Sequence, residues 1–142
     1  MQVHKRVLGF TILEMLLVIA MIGILLSFAI PTYRDHLVRT RVTEGLVMVT
    51  PAKLAVSEYY MQYHHLPNNP EVLNFHAPEA TENVSQISVG PSGVITVVLS
   101  DKAGDGSIIF TPTVKSDGRL HWCCDGGTLA VKYRPHSCRC EF

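Results

Sequence analysis

Four cysteines lie in the last twenty residues of the 142-residue chain, at Cys123, Cys124, Cys138 and Cys140. In an oxidising compartment such cysteines form disulfide bridges, and four of them allow three pairings. A vicinal bridge between Cys123 and Cys124 is the least favoured, because adjacent residues of an extended chain point to opposite faces. A zinc site that includes His136 is disfavoured, because adjacent cysteines do not match the spaced pairs of structural zinc sites. We therefore expect disulfide bridges and no metal.

A second reactive group is the carboxylate of Glu14, which lies inside an apolar stretch of 21 residues from Phe10 to Ile30. As a helix this stretch matches a hydrocarbon core about 30 Å thick. A carboxylate in such a span costs about 2 to 3 kcal/mol or more and needs a partner. A plain membrane anchor explains the length but not Glu14. An ordinary secretory signal, cut after Ser27-Phe28-Ala29, has an apolar region of about 7 to 15 residues, which is shorter than this one.

The residues around Glu14 resemble the class III signal of type IV pilins. A basic leader of residues 1–9 ends in Gly9, Phe10-Thr-x-x-Glu14 follows, and the apolar run closes at Pro31. The resemblance implies that a prepilin peptidase cuts between Gly9 and Phe10 and methylates the new amino terminus of Phe10. It also implies that Glu14 offsets the ammonium of Phe10 in a neighbouring subunit during assembly.

The C-terminal sequence is similar to the ending of type IVa pilins, which combines a tryptophan, a cysteine, a Lys-Tyr-x-Pro motif and a second cysteine. The matching residues here are Trp122-Cys123-Cys124 and Lys132-Tyr133-Arg134-Pro135-His136-Ser137-Cys138. Matched on Trp-x-Cys and Pro-x-x-Cys, the family bridge falls on Cys124 and Cys138. Cys123 and Cys140 depart from the one-bridge pattern, and we expect them to form a second bridge.

Apolar residues spaced by threes, fours and sevens predict that a helix continues beyond the apolar stretch to about His64. Pro31 and Pro51 lack an N–H and crowd the preceding turn, so they are expected to kink this helix without ending it. Arg34, Lys53 and Glu58 belong to its polar remainder. The apolar stripe consists of Val38, Val42, Leu46, Val49, Val56, Tyr60 and Tyr63.

Turn sequences separate four extended segments in the second half of the chain, which predicts an antiparallel meander. Its inner face is expected to pack on the helical stripe between Val38 and Tyr60. The fold class is therefore α+β: a long N-terminal α-helix packed against a C-terminal four-stranded antiparallel β-sheet, with a disulfide-stapled C-terminal loop. The predicted strands are Val84–Val89, Val94–Leu99, Ser107–Val114 and Arg119–Cys124, and the predicted inner face includes Ile95, Val97, Leu99, Ile108 and Phe110.

We divide the chain into a leader at residues 1–9, a transmembrane and assembly segment at residues 10–31, and a periplasmic or extracellular globular domain at residues 32–142. The formal net charge is zero, which gives no global argument for nucleic-acid binding. No order of Ser, His and Asp, of Cys and His, or of paired carboxylates suggests catalysis. We expect no enzyme activity and no cofactor.

The resemblance implies a structural subunit of a type IV pilus that serves adhesion, twitching motility or DNA uptake. The precursor would lie in the inner membrane, and the subunit would then polymerise into an extracellular fibre. Its partners would be other copies of itself, the prepilin peptidase and the inner-membrane assembly machinery. The alternatives are a minor pilin, a competence pilin that captures DNA through Lys132, Arg134 and Arg139, and a type II secretion pseudopilin. The paired cysteines and Trp122 disfavour the pseudopilin.

Overall fold

The structure is a computed structural model that describes residues 9–138, without the side chain of Asp125. Two helices come first, α1 at Ile12–Met48 and α2 at Thr50–Tyr63, and four strands follow. The chain divides into two compact units after Asp35, within α1. The strands are β1 at Val84–Val89, β2 at Ile95–Leu99, β3 at Ser107–Val114 and β4 at Leu120–Gly126.

The helical region extends as predicted, and each of its prolines has a different effect. Pro31 lies inside α1, which continues through it. Pro51 stands in the first turn of α2, and Val49 alone separates the two helices. A proline is tolerated in a first turn because its missing N–H would be unsatisfied there in any case. The second helix ends at Tyr63, and His64 closes it in the left-handed conformation, with its N–H donating to the Tyr60 carbonyl oxygen at 2.8 Å.

The strands form one antiparallel sheet in the order β1-β2-β3-β4, so the predicted meander is confirmed. β1 and β3 have the predicted bounds, whereas β2 and β4 each begin one residue later than predicted and β4 extends to Gly126. β4 is longer because Ile109 of β3 pairs with Gly126 across a register shift between Ile109 and Thr111. Pro112, which cannot donate a ladder hydrogen bond, pairs with Trp122 next to that shift.

The core of the second unit lies between the sheet and one face of the helices. All five residues predicted for the inner face of the sheet are buried: Ile95, Val97, Leu99, Ile108 and Phe110. From the predicted helical stripe, Val42, Val49 and Val56 are fully buried, and Val38 and Leu46 are partly buried against the core. Burial of each large aliphatic side chain contributes about 1.5 to 3 kcal/mol.

Tyr63, the last residue of the apolar helical face and beyond the part predicted to pack on the sheet, is half-exposed. Its ring centroid lies 4.6 Å from that of Tyr59 and 6.1 Å from that of His65.

Lys53, assigned to the polar remainder, is half-buried, and its Nζ lies 4.1 Å from the ring centroid of Phe110. Burial lowers the pKa of this lysine. The helix therefore uses a lysine stem to cover part of the apolar sheet.

Gly45 allows the helix to approach the sheet closely. A Cβ atom at this buried position would lie 3.1 Å from Leu99 Cδ2 and 3.4 Å from Val97 Cγ1.

The adjacent Glu44 fixes the start of β1, accepting hydrogen bonds from Thr81 Oγ1 at 2.7 Å and from Asn83 Nδ2 at 2.6 Å. These two donors hold the pKa of the Glu44 carboxyl below its usual range, with Thr81 the larger cause.

The depressed pKa of Glu44 predicts a contribution to stability that depends on pH. Its stabilisation is fully present above the ordinary glutamate pKa of about 4.3, and it is lost as the pH falls through the lower folded-state pKa. We expect Glu44→Gln to destabilise the chain at neutral pH and to flatten the acid limb of its stability curve. Thermal unfolding between about pH 3 and pH 7 would measure this. Equal destabilisation by Glu44→Gln throughout that range would contradict it.

Candidate functional site

The first part of the candidate site is the start of α1, where Thr11 and Glu14 cap each other. The Glu14 Oε2 atom accepts hydrogen bonds from the Thr11 backbone N–H and the Thr11 hydroxyl, both at 2.9 Å. The Glu14 N–H donates to Thr11 Oγ1 at 3.2 Å. This is a capping box, in which two unsatisfied donors at a helix start are bonded reciprocally. The Thr-x-x-Glu spacing is the sequence signature of this cap, whereas the only role predicted for Glu14 was a partner in another subunit.

The predicted processing junction immediately precedes this cap. Gly9, Phe10 and Thr11 lie outside the helix, which begins at Ile12. Gly9 has open space around it, because a Cβ built there would contact nothing within 4 Å. The Phe10 side chain is 74% exposed. Both residues at the junction are therefore exposed in the described part of the chain.

The apolar part of α1 is exposed along its length. By length and composition the helix can cross a membrane, and an 18-residue apolar segment of it has a mean hydropathy of 2.6 and no buried residue. An uncovered apolar surface of this size marks a membrane or protein interaction site. The exposed large side chains between Phe10 and Pro31 include Leu13, Leu16, Leu17, Ile19, Ile22, Ile24, Leu25, Phe28 and Ile30.

The second part of the candidate site is the C-terminal loop, which the disulfide between Cys124 and Cys138 closes. Both cysteines are buried, and their Cα atoms lie 4.5 Å apart. This bridge joins the pair that the motif alignment predicted, so the stapled loop is confirmed. The second predicted bridge joins Cys123 to Cys140, and Cys140 lies outside the described residues. That pairing stays a prediction.

Side chains inside the loop also attach it to the rest of the unit. Leu129 is 2% exposed and belongs to the core. Its N–H donates to the Ser107 carbonyl oxygen at 3.0 Å, and the Thr128 hydroxyl accepts from the Ser107 N–H at 3.0 Å. Gly127 has φ of +99°, and a Cβ there would lie 2.2 Å from the Ser107 carbonyl oxygen, so this close approach requires glycine. The anchoring role of Leu129 was not predicted from the sequence.

The three residues predicted to contact DNA have different environments. The Arg134 guanidinium donates to the carbonyl oxygens of Leu129 at 2.9 Å and Gly127 at 2.7 Å, which indicates a structural role in the loop. Lys132 is exposed, and its Nζ lies 4.5 Å from the ring centroid of Tyr133. Arg139 lies outside the described residues. Of these three residues, only Lys132 is exposed in the part of the loop that the structure describes.

Other basic residues line an open cleft of about 420 Å³ at the β3–β4 hairpin. Arg119 forms an ion pair with Asp117 at 2.7 Å, and hydrogen bonds from Arg119 hold the pKa of this aspartate below its usual range. The cleft therefore places the ring of Trp122 beside the cations Lys115 and Arg119, and Asp117 neutralises Arg119. It is lined by Lys115, Asp117, Arg119, Leu120, His121 and Trp122.

Comparison with known proteins identifies similar chains. Residues 38–139 match the model of the pilin family, described as a bacterial filament protein. The fimbrial protein EcpC of Eikenella corrodens is 34% identical over 97% of this chain and 92% of its own length. The type IV major pilin protein PilE1 of Neisseria gonorrhoeae is 27% identical over 94% of each chain. The type IV major fimbrial protein FimA of Dichelobacter nodosus is 44% identical over 35% of this chain and 31% of its own length.

Proposed function

This chain belongs to the pilin family of bacterial filament proteins, and from that membership we propose how the subunit is processed, held in the membrane and assembled. It is a structural subunit of a type IV pilus. The observation that carries the proposal is the uncovered apolar helix, which needs lipid around it before assembly and other subunits around it afterwards. We assign the subunit no catalytic activity. Its partners are other copies of itself, the prepilin peptidase and the inner-membrane assembly machinery.

Processing occurs at the exposed junction between Gly9 and Phe10. The glycine lets a protease approach the backbone, and the basic leader keeps the junction at the cytoplasmic face of the inner membrane. We expect mass spectrometry of sheared surface filaments to find an N-terminus at methylated Phe10. An N-terminus at Ile30 would contradict this proposal, since it would indicate ordinary secretion.

Assembly transfers the apolar helix from lipid to the centre of a fibre. Against water, burial of apolar surface would contribute about 25 cal/mol per Å². Lipid is the true starting solvent, so the net gain is much smaller and comes from close packing and from neutralisation of Glu14. Identification of the dominant protein in purified surface filaments tests this function and distinguishes a major from a minor subunit. Absence of this chain from the filaments would contradict it.

A second candidate function is the capture of DNA by the displayed surface. The cleft at the β3–β4 hairpin favours it, because cations beside an aromatic ring suit both phosphates and bases. We expect the purified chain to shift DNA in a gel, with an affinity that falls steeply between about 50 and 200 mM salt. Lys115→Glu should weaken binding and reduce the salt slope by about one. If neither the rise in salt concentration nor Lys115→Glu weakens DNA binding, this cleft is not the DNA contact.

A further inference from the structure

A cluster of three rings lies at the C-terminal end of α2. Tyr59 and Tyr63 are one helical turn apart on the same face of the helix. The ring of His65 stands edge-on to that of Tyr59, with 5.5 Å between the centroids and 75° between the planes. His65 Nδ1 donates to the Leu66 carbonyl oxygen at 3.1 Å, which holds the third ring in place. The cluster therefore presents an ordered aromatic surface to solvent.

The two tyrosines form one wall of a cleft of about 150 Å³. The opposite wall follows a short 3-10 helix at Pro70–Val72 and includes the buried Leu73. Asn69 caps this short helix by accepting a hydrogen bond from the Glu71 N–H at 3.1 Å, and the Leu73 N–H donates to the Pro70 carbonyl oxygen at 3.1 Å. Both walls are built before any ligand binds, which lowers the entropic cost of binding.

Three polar side chains line the same cleft: Glu58, Gln62 and Asn74. All three are exposed, and within the described part of the chain none of these side chains forms a hydrogen bond or an ion pair with another residue. Each amide offers N–H donors and a carbonyl acceptor, whereas the carboxylate offers acceptors only. The cleft thus combines an aromatic wall with polar groups that the fold does not use, which is the composition of a small-molecule site.

The charge and the donors of the cleft select the class of ligand. Of the described residues that line it, Glu58 alone is charged, so the cleft repels phosphate and other anions. A small organic cation suits the carboxylate and the rings, but it has no acceptor for the two amide groups. A neutral pyranose ring suits every group, because its C–H face packs on the negative face of an aromatic ring and its hydroxyls bond to the amides and the carboxylate.

We propose that this cleft binds one neutral pyranose unit of a glycan, with the C–H face of the sugar against Tyr63 and its hydroxyls bonded to Glu58, Gln62 and Asn74. Sites for drug-sized ligands begin at about 300 Å³, so a cleft of half that volume admits a single ring. Few contacts make the binding weak, with a Kd of about 1 mM. The inference does not rest on assembly, because the isolated chain contains every residue of the site.

Saturation-transfer NMR on the full chain, in an amine-oxide detergent that carries no sugar, tests the site. The probes are methyl β-D-galactopyranoside and methyl β-D-glucopyranoside, and we expect saturation on the C–H protons of one face of at least one of them. Tyr63→Ala should weaken binding about tenfold, whereas Tyr63→Phe should retain it because the ring remains. Gln62→Ala should also weaken it. Met61→Ala is the matched control, since it removes an exposed side chain of the same helix that lines a different cleft.

The opposite results are equally specific. No saturation of either glycoside, or equal binding by the unaltered chain and Tyr63→Ala, would overturn the proposal, and weaker binding with Met61→Ala would overturn its location. Choline chloride and N-acetylneuraminic acid represent the other ligand classes. Stronger saturation of choline than of the sugars, abolished by Glu58→Gln, would make this a cation site instead, and binding of the anionic sugar would contradict the charge argument. All four substituted side chains are exposed, so we expect each variant to keep the circular dichroism spectrum of the unaltered chain.

Discussion

A chain that carries Glu14→Ala is expected to be made, cleaved and retained in the membrane, but to form few or no filaments. In the proposed pairing, the substitution leaves the ammonium of Phe10 in a neighbouring subunit without its counter-ion within apolar packing. An unpaired charge there costs about 2 to 3 kcal/mol or more, and each 1.4 kcal/mol is a factor of about ten in an equilibrium constant. The amount of sheared filament relative to mature subunit measures this loss.

The capping box at the helix start requires a control, since Glu14→Ala also removes the acceptor for the Thr11 N–H. Glu14→Gln keeps a side-chain oxygen for this hydrogen bond and removes the charge. Thr11→Ala keeps the charge and removes the capping hydroxyl, at a cost of about 1 kcal/mol. If charge pairing drives assembly, the glutamine variant fails and the Thr11→Ala variant retains filaments. Normal filaments with Glu14→Gln would show that the proposed pairing with Phe10 is wrong.

Removal of the observed disulfide, by Cys124→Ser with Cys138→Ser, is expected to cause the largest loss of stability. The two cysteines are 14 residues apart. A bridge that closes a loop of about 15 residues lowers the entropy of the unfolded chain and so stabilises the folded state by about 3 kcal/mol. For a domain of about 100 residues this loss lowers the melting temperature by about 10 to 25 °C. Thermal unfolding of the full chain in detergent, followed by circular dichroism, measures the shift.

The predicted second bridge provides the matched control for this measurement. With Cys124 still joined to Cys138, a bridge from Cys123 to Cys140 closes no new long loop, because it adds only the short segments 123–124 and 138–140. Its removal by Cys123→Ser with Cys140→Ser should therefore destabilise the chain less than removal of the first bridge. A melting temperature that barely changes without the first bridge would mean that Leu129 and Arg134 hold the loop. Non-reducing peptide mapping tests the second pairing directly, and recovery of Cys123 linked to Cys138 would overturn it.

The sequence by itself determined the elements and the main partners of the core. Two periodicities, near 3.6 residues in the helices and two residues in the strands, identify the faces that must be buried. This is why the antiparallel order and the inner-face residues Ile95, Val97 and Phe110 were predicted correctly. The cysteine pairing came from a motif match, because geometry read from sequence had left three connectivities open.

Only the tertiary structure decided which charged side chains and loop residues stabilise the fold. Lys53 covers Phe110, Arg134 bonds to loop carbonyl oxygens, and Leu129 anchors a loop that is otherwise mostly polar. Periodicity does not reveal these roles, because each depends on a contact between segments distant in sequence or on a loop without regular repeat. The same applies to Gly127, whose positive φ and approach to Ser107 arise only when the loop folds back on β3. Local patterns thus determine the elements, whereas long-range contacts decide how irregular segments attach to them.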